Sequence, residues 1–137
     1  MKIEHSDLHD LVEARYFLEL QAVKLAAERR TIDDIVSMKN ALHLFETKVI
    51  QGLPWIEEDL LFHLKIADAA RNSILKSLII HITTELLNND IEGIIDKCKG
   101  LNFYNMLEQH KLILEHIVNQ NTNLAAQAMT EHFKYIR

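Results

Sequence analysis

The chain has 137 residues and a formal net charge of -5, with one cysteine, three glycines and one proline. This length supports one domain with a buried core, and a single cysteine excludes an intramolecular disulfide. The scarcity of glycine and proline predicts an all-helical protein with short connections. No apolar run approaches the roughly 18 residues that span a bilayer, and the N-terminal residues do not resemble a signal peptide. We therefore expect a cytoplasmic protein without a membrane partner.

The positive charges are too dispersed to form a nucleic-acid-binding surface. The 15 Lys and Arg residues are scattered, and the 20 Asp and Glu residues outnumber them. Their densest cluster is the stretch AERR at 27–30, which is too small to follow a phosphate backbone. We expect that this chain alone does not bind nucleic acid.

The first half of the chain predicts three amphipathic helices. The first covers about residues 7–29. The second follows a motif similar to a capping box, TIDD, in which Thr31 is the N-cap, and it reaches about Ile50. The stretch QGLP then interrupts the pattern. Pro54 suits the first turn of a third helix, which ends near Ala70.

A fourth helix is predicted from Ser73 to about Asn89. Asn72 precedes it and is a preferred N-cap residue. The stretch NNDIEGIIDKCKG, residues 88–100, overlaps the end of this helix. It is either a ragged continuation of the helix or a loop.

Two further helices complete the prediction, over about residues 102–119 and 124–137, with NQNTN breaking the chain between them. The short connections indicate a single all-α domain over residues 1–137. The predicted architecture is an antiparallel bundle of six or seven helices.

Asp59 and His63 interrupt the apolar stripe of the third helix. They are one helical turn apart, so they lie on the same face. The apolar residues within about 60° of Asp59 at 3.6 residues per turn are Trp55, Phe62, Ile66 and Ala70. A buried carboxylate without a partner is strongly destabilising, so both groups require partners inside the bundle.

A histidine occupies the same kind of position on two other helices. His110 lies on the core-facing stripe of the fifth helix, and His132 lies on that of the sixth. The residues on the two stripes are Phe103, Met106, Leu107, Ile113, Leu114 and Ile117, and then Ala125, Ala128, Met129, Tyr135 and Ile136.

Two interpretations of these four polar residues remain open from periodicity. A single core histidine is most often hydrogen-bonded to a backbone carbonyl. Three imidazoles and one carboxylate that converge in one bundle interior are also the ligand set of a Zn, Ni, Mn or Fe site.

Arg15 and His81 are candidate contacts for a bound effector. Arg15 lies among apolar residues of the first helix, with Glu19 one turn further on. It is either half of a pair with Glu19 at the edge of the core, or a buried guanidinium whose planar fork suits a carboxylate. His81 shares a mixed polar face that either lines a pocket or meets water. The remaining histidines read as structural or solvated: His5, His9, His43 and His116.

With these residues identified, the sequence resembles the FCD domain, the C-terminal ligand-binding domain of GntR-type bacterial transcription regulators of the FadR subfamily. The D-x-x-x-H step followed by two later histidines is the specific part of the pattern. The matching segments follow the family order and are EARYFLELQAVKLAAERR (13–30), DLLFHLKIADAARNSIL (59–75), EQHKLILEHI (108–117) and NLAAQAMTEHF (123–133).

The resemblance implies a fold, a cofactor and site residues. The family domain is an antiparallel bundle of six or seven helices around a central cavity, and its metal-binding members hold a divalent ion with one Asp and three His. A family arginine that faces the cavity matches Arg15. Typical effectors are small organic acids, whose carboxylate can complete the coordination of the metal. The ligands matched by position are Asp59, His63, His110 and His132.

Three functions are compatible with this reading. We favour an effector-sensing domain that is not an enzyme and that binds a divalent metal (Zn, Ni or Mn) and a small organic acid. A small helical metalloenzyme that uses the same three His and one Asp is the alternative. Four protein ligands, however, leave less open coordination than the three of catalytic zinc sites. A purely structural bundle with hydrogen-bonded histidines is the third.

The resemblance also implies macromolecular partners. Family members carry an N-terminal winged-helix domain that is not in this sequence, so we expect DNA contact only through such a separate domain. The family regulators bind paired half-sites, which predicts a homodimer. Apolar residues away from the main core stripes support this expectation: Leu61, Leu64, Ile80 and Leu87.

Overall fold

The structure, a computed structural model, describes residues 5–99 and 103–134. These residues form an all-α antiparallel bundle, which confirms the predicted fold class, and none of them lies in a strand. The six helices are α1 (His5–Arg29), α2 (Ile32–Gln51), α3 (Ile56–Ala69), α4 (Ser73–Lys99), α5 (Phe103–Val118) and α6 (Thr122–Lys134).

Helix α1 begins at His5, two residues earlier than predicted, and the predicted boundaries also differ from the observed ones at three other places. The ambiguous stretch after Asn89 continues α4 as far as Lys99. Pro54 precedes α3 and does not lie in its first turn, because the helix begins at Ile56. The last helix begins at Thr122, two residues earlier than predicted.

Helix α1 lies at the centre of the packing and contacts α3, α4, α5 and α6. Small side chains line the contact between α1 and α6, where Ala26 and Ala125 are fully buried and Ala128 is nearly so. The hydroxyl groups of Tyr16 and Thr130 form a hydrogen bond of 3.0 Å between the same two helices. Because α1 is central, polar residues on its inner face lie within reach of several helices.

The predicted capping box at the start of α2 is confirmed. The Thr31 hydroxyl accepts a hydrogen bond from the Asp34 N–H, and the Asp34 carboxylate accepts one from the Thr31 N–H. The Asp34 carboxylate also binds the guanidinium of Arg71, with the closest contact 2.8 Å. Arg71 has a left-handed backbone (φ 57°) in the turn between α3 and α4. Asp34 therefore links the start of α2 to the turn between α3 and α4.

Asn72 caps the next helix, as predicted. Its side-chain oxygen accepts a hydrogen bond of 3.0 Å from the Leu75 N–H at the start of α4. Asn is among the best N-cap residues because its short side chain reaches an amide that has no partner within the helix.

The two arginines of the densest basic cluster bind backbone carbonyls of the same chain. Arg29 donates a hydrogen bond to the carbonyl of Ala70 at the end of α3, and Arg30 donates one to the carbonyl of Val118 at the end of α5. Both arginines therefore satisfy carbonyls at helix C-termini, where positive charge is favourable.

None of the described helices combines the length with the apolar character that crossing a membrane requires.

We predict that Asp34→Asn lowers the free energy of unfolding at neutral pH by about 1–2 kcal/mol, because it weakens both the cap and the Arg71 contact. Burial alone would raise the pKa of Asp34, but the Thr31 N–H and the Arg71 guanidinium outweigh it and lower the pKa below 3.8. The stabilisation is therefore present above this value and is lost as the pH falls through the folded-state pKa. Urea unfolding at neutral and acidic pH measures the difference.

The matched control is Asp33→Asn, which removes the same charge from the same turn of α2 at an exposed position. Equal destabilisation by the two substitutions at neutral pH would contradict a specific role for Asp34.

Candidate functional site

Four polar side chains meet in the interior of the bundle. Asp59 and His63 come from α3, His110 comes from α5 and His132 comes from α6. Each offers a ligand atom, and these atoms lie within 4.8 Å of one another. The three histidines are buried, and the Asp59 side chain is 17% exposed. The structure thus brings together the four residues that the sequence singled out.

The Nε2 atoms of the three imidazoles face a common centre. His110 Nε2 is 2.6 Å from Asp59 Oδ1, and His63 Nε2 is 3.5 Å from the same oxygen. His132 Nε2 is 3.3 Å from His63 Nε2. At these separations a proton or another cation is needed among the nitrogens and the carboxylate, because lone pairs facing one another repel.

The Nδ1 atoms of the same rings point outward, and each meets an acceptor. His63 Nδ1 is 2.5 Å from Glu19 Oε1, and His110 Nδ1 is 2.7 Å from the carbonyl oxygen of Met106. His132 Nδ1 is 3.2 Å from Gln109 Oε1. An acceptor at Nδ1 places the proton there, which directs the lone pair of Nε2 towards the centre. This is the arrangement that histidine ligands of metal ions typically show.

Aromatic rings fix the orientation of the imidazoles. Phe45 stacks on His110 with ring centroids 4.3 Å apart, and His63 stacks on His132 at 5.2 Å. Phe62 and Phe133, both fully buried, contact the cluster edge-on or tilted. The imidazoles therefore have little freedom to turn away from the centre.

The charges around the cluster favour a cation. Burial alone would lower the pKa of His63, but the carboxylates of Glu19 and Asp59 outweigh burial and raise it to about 9. The pKa of Asp59 is held well below its usual value, because the nearby imidazoles outweigh the opposite effect of burial. Burial lowers the pKa of His132 strongly, as do its histidine neighbours. His132 is thus held neutral, which is the form that binds metals.

Glu19 is the site residue that the sequence did not identify. Its side chain is buried, and its two oxygens face different partners: Oε1 contacts His63, and Oε2 lies 2.6 Å from Arg15 Nε. Burial alone would raise the pKa of Glu19, but Arg15 and His63 outweigh it and lower the pKa. The sequence signal was available, since Glu19 follows Arg15 by one turn. That pair alone gave no reason to connect it with α3.

Arg15 lines a pocket of about 120 Å³ between α1, α3 and α4. His63 also lines it, so this pocket adjoins the four-residue cluster. Its other walls are mostly apolar and are formed by Leu60, Leu64, Ile79, Ile80, Thr83 and Thr84. His81 is exposed on α4 and is not among the lining residues.

Among the described side chains, the other histidines lie outside this cluster. His9 and His43 are exposed, His116 is half-buried on α5, and the side chain of His5 is outside the described residues.

Comparison with known protein families gives a match over nearly the whole chain. Residues 10–135 match the family described as FCD domain.

Named relatives are regulators of transcription. The HTH-type transcriptional regulator LutR of Bacillus subtilis (strain 168) is 30% identical over 132 residues, which is 95% of this chain and 60% of the relative. The Uxu operon transcriptional regulator of Escherichia coli (strain K12) is 31% identical over 132 residues, 93% of this chain and 51% of the relative. The chain thus spans between half and two thirds of the length of these relatives.

A solved structure shares the fold. The E. coli protein McbR/YncC superposes with a TM-score of 0.82 at 21% identity, over 97% of this chain and 67% of the solved chain.

Proposed function

Because this chain belongs to the FCD domain family found in GntR-type transcription regulators, we propose that it is an effector-sensing domain that holds a divalent metal ion and a small organic acid. The names of its relatives describe regulators and agree with the expectation that it is not an enzyme. The observation that carries the metal proposal is the cluster of Asp59 with three inward-facing Nε2 atoms.

The donor set of the cluster fits a divalent cation. All three Nδ1 atoms have acceptors outside the cluster, so the three Nε2 atoms and the Asp59 carboxylate are the groups left to bind an ion. Imidazole and carboxylate ligands suit Zn, Ni or Mn without selecting one of them. When bound, the ion would offer its remaining coordination positions to an oxygen ligand such as a carboxylate.

The pocket beside the cluster suits a small anion. Its volume of about 120 Å³ is well below the roughly 300 Å³ or more of pockets for drug-sized ligands. Arg15 supplies the positive charge in its wall, and His63 connects it to the cluster. His81 is exposed beside the pocket-lining Ile80, so we assign the anion contact to Arg15.

The proposed regulator is a homodimer that contacts DNA through a separate winged-helix domain. Three of the four residues that suggested a dimer have contacts within the monomer: Leu61 packs against the core, and Leu64 and Ile80 line the pocket. Leu87 is half-buried. Helix α4 nevertheless exposes several large apolar side chains, namely Ile74, Leu78, Ile80 and Ile91. We therefore propose α4 as a dimer surface.

We predict that the chain binds one zinc or nickel ion per protomer and that metal raises its thermal midpoint. The site forms only on folding, so a free metal concentration 100-fold above Kd would add about 2.7 kcal/mol to the free energy of unfolding. His132→Ala removes a ligand and should weaken binding by about 10- to 100-fold or more. Elemental analysis and melting of stripped and reloaded protein measure both effects.

The control for this experiment is His43→Ala, which removes an exposed histidine from α2. If stripped wild-type protein shows no stoichiometric metal and no shift of the midpoint on adding zinc or nickel, the metal proposal is wrong.

We predict that Arg15→Met weakens the binding of small carboxylates more than it destabilises the fold, because Met keeps much of the stem and loses the guanidinium. Loss of a charged hydrogen bond of about 1.5–3 kcal/mol corresponds to about a 10- to 100-fold loss of affinity. Calorimetric titration of the metal-loaded protein with a panel of monocarboxylates measures it, with Lys24→Met on the same helix as the control for net charge. Unchanged affinity in Arg15→Met would contradict the assignment.

We predict a dimer of 15.9 kDa chains in light scattering at micromolar concentrations, and dissociation by Leu78→Glu on α4. A buried glutamate without a partner would destabilise the interface by several kcal/mol. The control is Leu44→Glu on α2, which is similarly exposed on a helix that does not contact α4 within the described residues. A monomeric wild-type mass, or equal dissociation by both variants, would count against this surface.

A further inference from the structure

One buried carboxylate connects the anion pocket with the metal cluster. Glu19 Oε2 is 2.6 Å from Arg15 Nε, and Glu19 Oε1 is 2.5 Å from His63 Nδ1. Glu19 is 2% exposed and Arg15 is 9% exposed, so water competes little for these contacts. The three side chains form a continuous path from the pocket wall to a candidate ligand.

We propose that Glu19 is a positioning residue that couples the binding of a carboxylate at Arg15 to the binding of a metal at His63. This inference rests on the proposed function and adds to it a way for the two ligands to strengthen each other. It assigns to Glu19 no direct contact with either ligand.

The physical basis is that Glu19 divides one negative charge between two partners. Without an anion in the pocket, the Arg15 guanidinium attracts this charge away from His63. An anion that neutralises Arg15 leaves more of the charge for the N–H at His63 Nδ1. A stronger acceptor at Nδ1 makes Nε2 of the same ring a better electron donor to a metal. By linkage, if a bound anion raises the affinity for the metal, a bound metal raises the affinity for that anion by the same factor.

The contact between Arg15 and Glu19 is of a kind that an anion can displace. Arg15 Nε and Glu19 Oε2 are both buried and close, yet neither has a hydrogen bond of regular geometry within the part of the chain that the structure describes. Apart from Glu19, the Arg15 guanidinium faces the Phe133 ring at 5.3 Å and the pocket. The guanidinium therefore retains donors for a carboxylate without first breaking a bidentate pair.

The experiment measures zinc affinity with and without a carboxylate in wild-type protein and in Glu19→Gln. Stripped protein competes with a fluorescent zinc chelator in saturating acetate, or in chloride at the same ionic strength. Titrating the chelator alone corrects for zinc complexed by acetate. The ratio of the two zinc affinities is the coupling factor of each protein.

In wild-type protein we expect acetate to tighten zinc binding by about 5- to 150-fold, the usual range of such couplings. Glu19→Gln keeps the size of the side chain and an acceptor oxygen but loses the charge. It should weaken zinc binding by about 10- to 100-fold and should reduce the coupling factor below that of wild type. A role in folding alone would lower stability without changing this factor.

The matched control is Glu13→Gln, which removes an exposed charge from the same helix and should keep the wild-type coupling factor. A second readout needs no substitution, in case Glu19→Gln does not fold. In zinc-loaded wild-type protein, the ¹⁵N chemical shift of His63 Nδ1 should move when acetate is added. An unmoved His63 signal would overturn the inference.

The possible failures are distinguishable. If wild-type protein binds no zinc, the proposed function and this inference both fail. If it binds zinc and acetate does not change the affinity, only the coupling fails. If Glu19→Gln keeps the full coupling factor, the anion acts by direct contact with the metal, and the role of Glu19 is overturned while the proposed function stands.

Discussion

The burial of two carboxylates among three imidazoles is the constraint on which the site depends. An ionised carboxylate in a protein interior is stable only when opposite charge and hydrogen-bond donors surround it. Glu19 meets this condition through Arg15 and His63, and Asp59 meets it through His110 and His63. Each carboxylate thus has two partners, and His63 is shared by both. These contacts therefore link α1, α3 and α5 in the bundle interior.

The packing of the helices provides the close approach that these contacts need. Glu19 contacts His63 directly, which brings the backbones of α1 and α3 near each other. The alanines on α1, α3 and α6 are small enough to allow such an approach, and Ala26, Ala69 and Ala125 are fully buried. Larger residues at those positions would hold the helices apart, and the rings of Phe45, Phe62 and Phe133 fill the space that remains.

The sequence could identify the four clustered residues because each one is a polar group on an otherwise apolar helical face. That signal is local, and periodicity measures it directly. Glu19 was missed because Arg15, one turn away, gave it a sufficient local partner, whereas its contact with His63 spans 44 residues. The extent of α4 was ambiguous for a related reason: Gly93 and the polar residues after Leu87 weaken the helical pattern. The walls of the pocket depend on how three helices pack, which periodicity does not determine.

The charge balance also shows how protons within the cluster can offset the charge of its buried carboxylates. Burial opposes a charge on His63, but Glu19 and Asp59 raise its pKa to about 9, so at neutral pH its second proton supplies the positive charge. Because the pKa of His63 is raised in the folded protein, this stabilisation is fully present below its unfolded-state pKa of 6.5. It is lost as the pH rises through about 9. On the proposed function, a metal at His63 would replace that proton, so binding at neutral pH would release it. On the same proposal, His132 would need no deprotonation before it binds a metal, because its low pKa keeps it neutral.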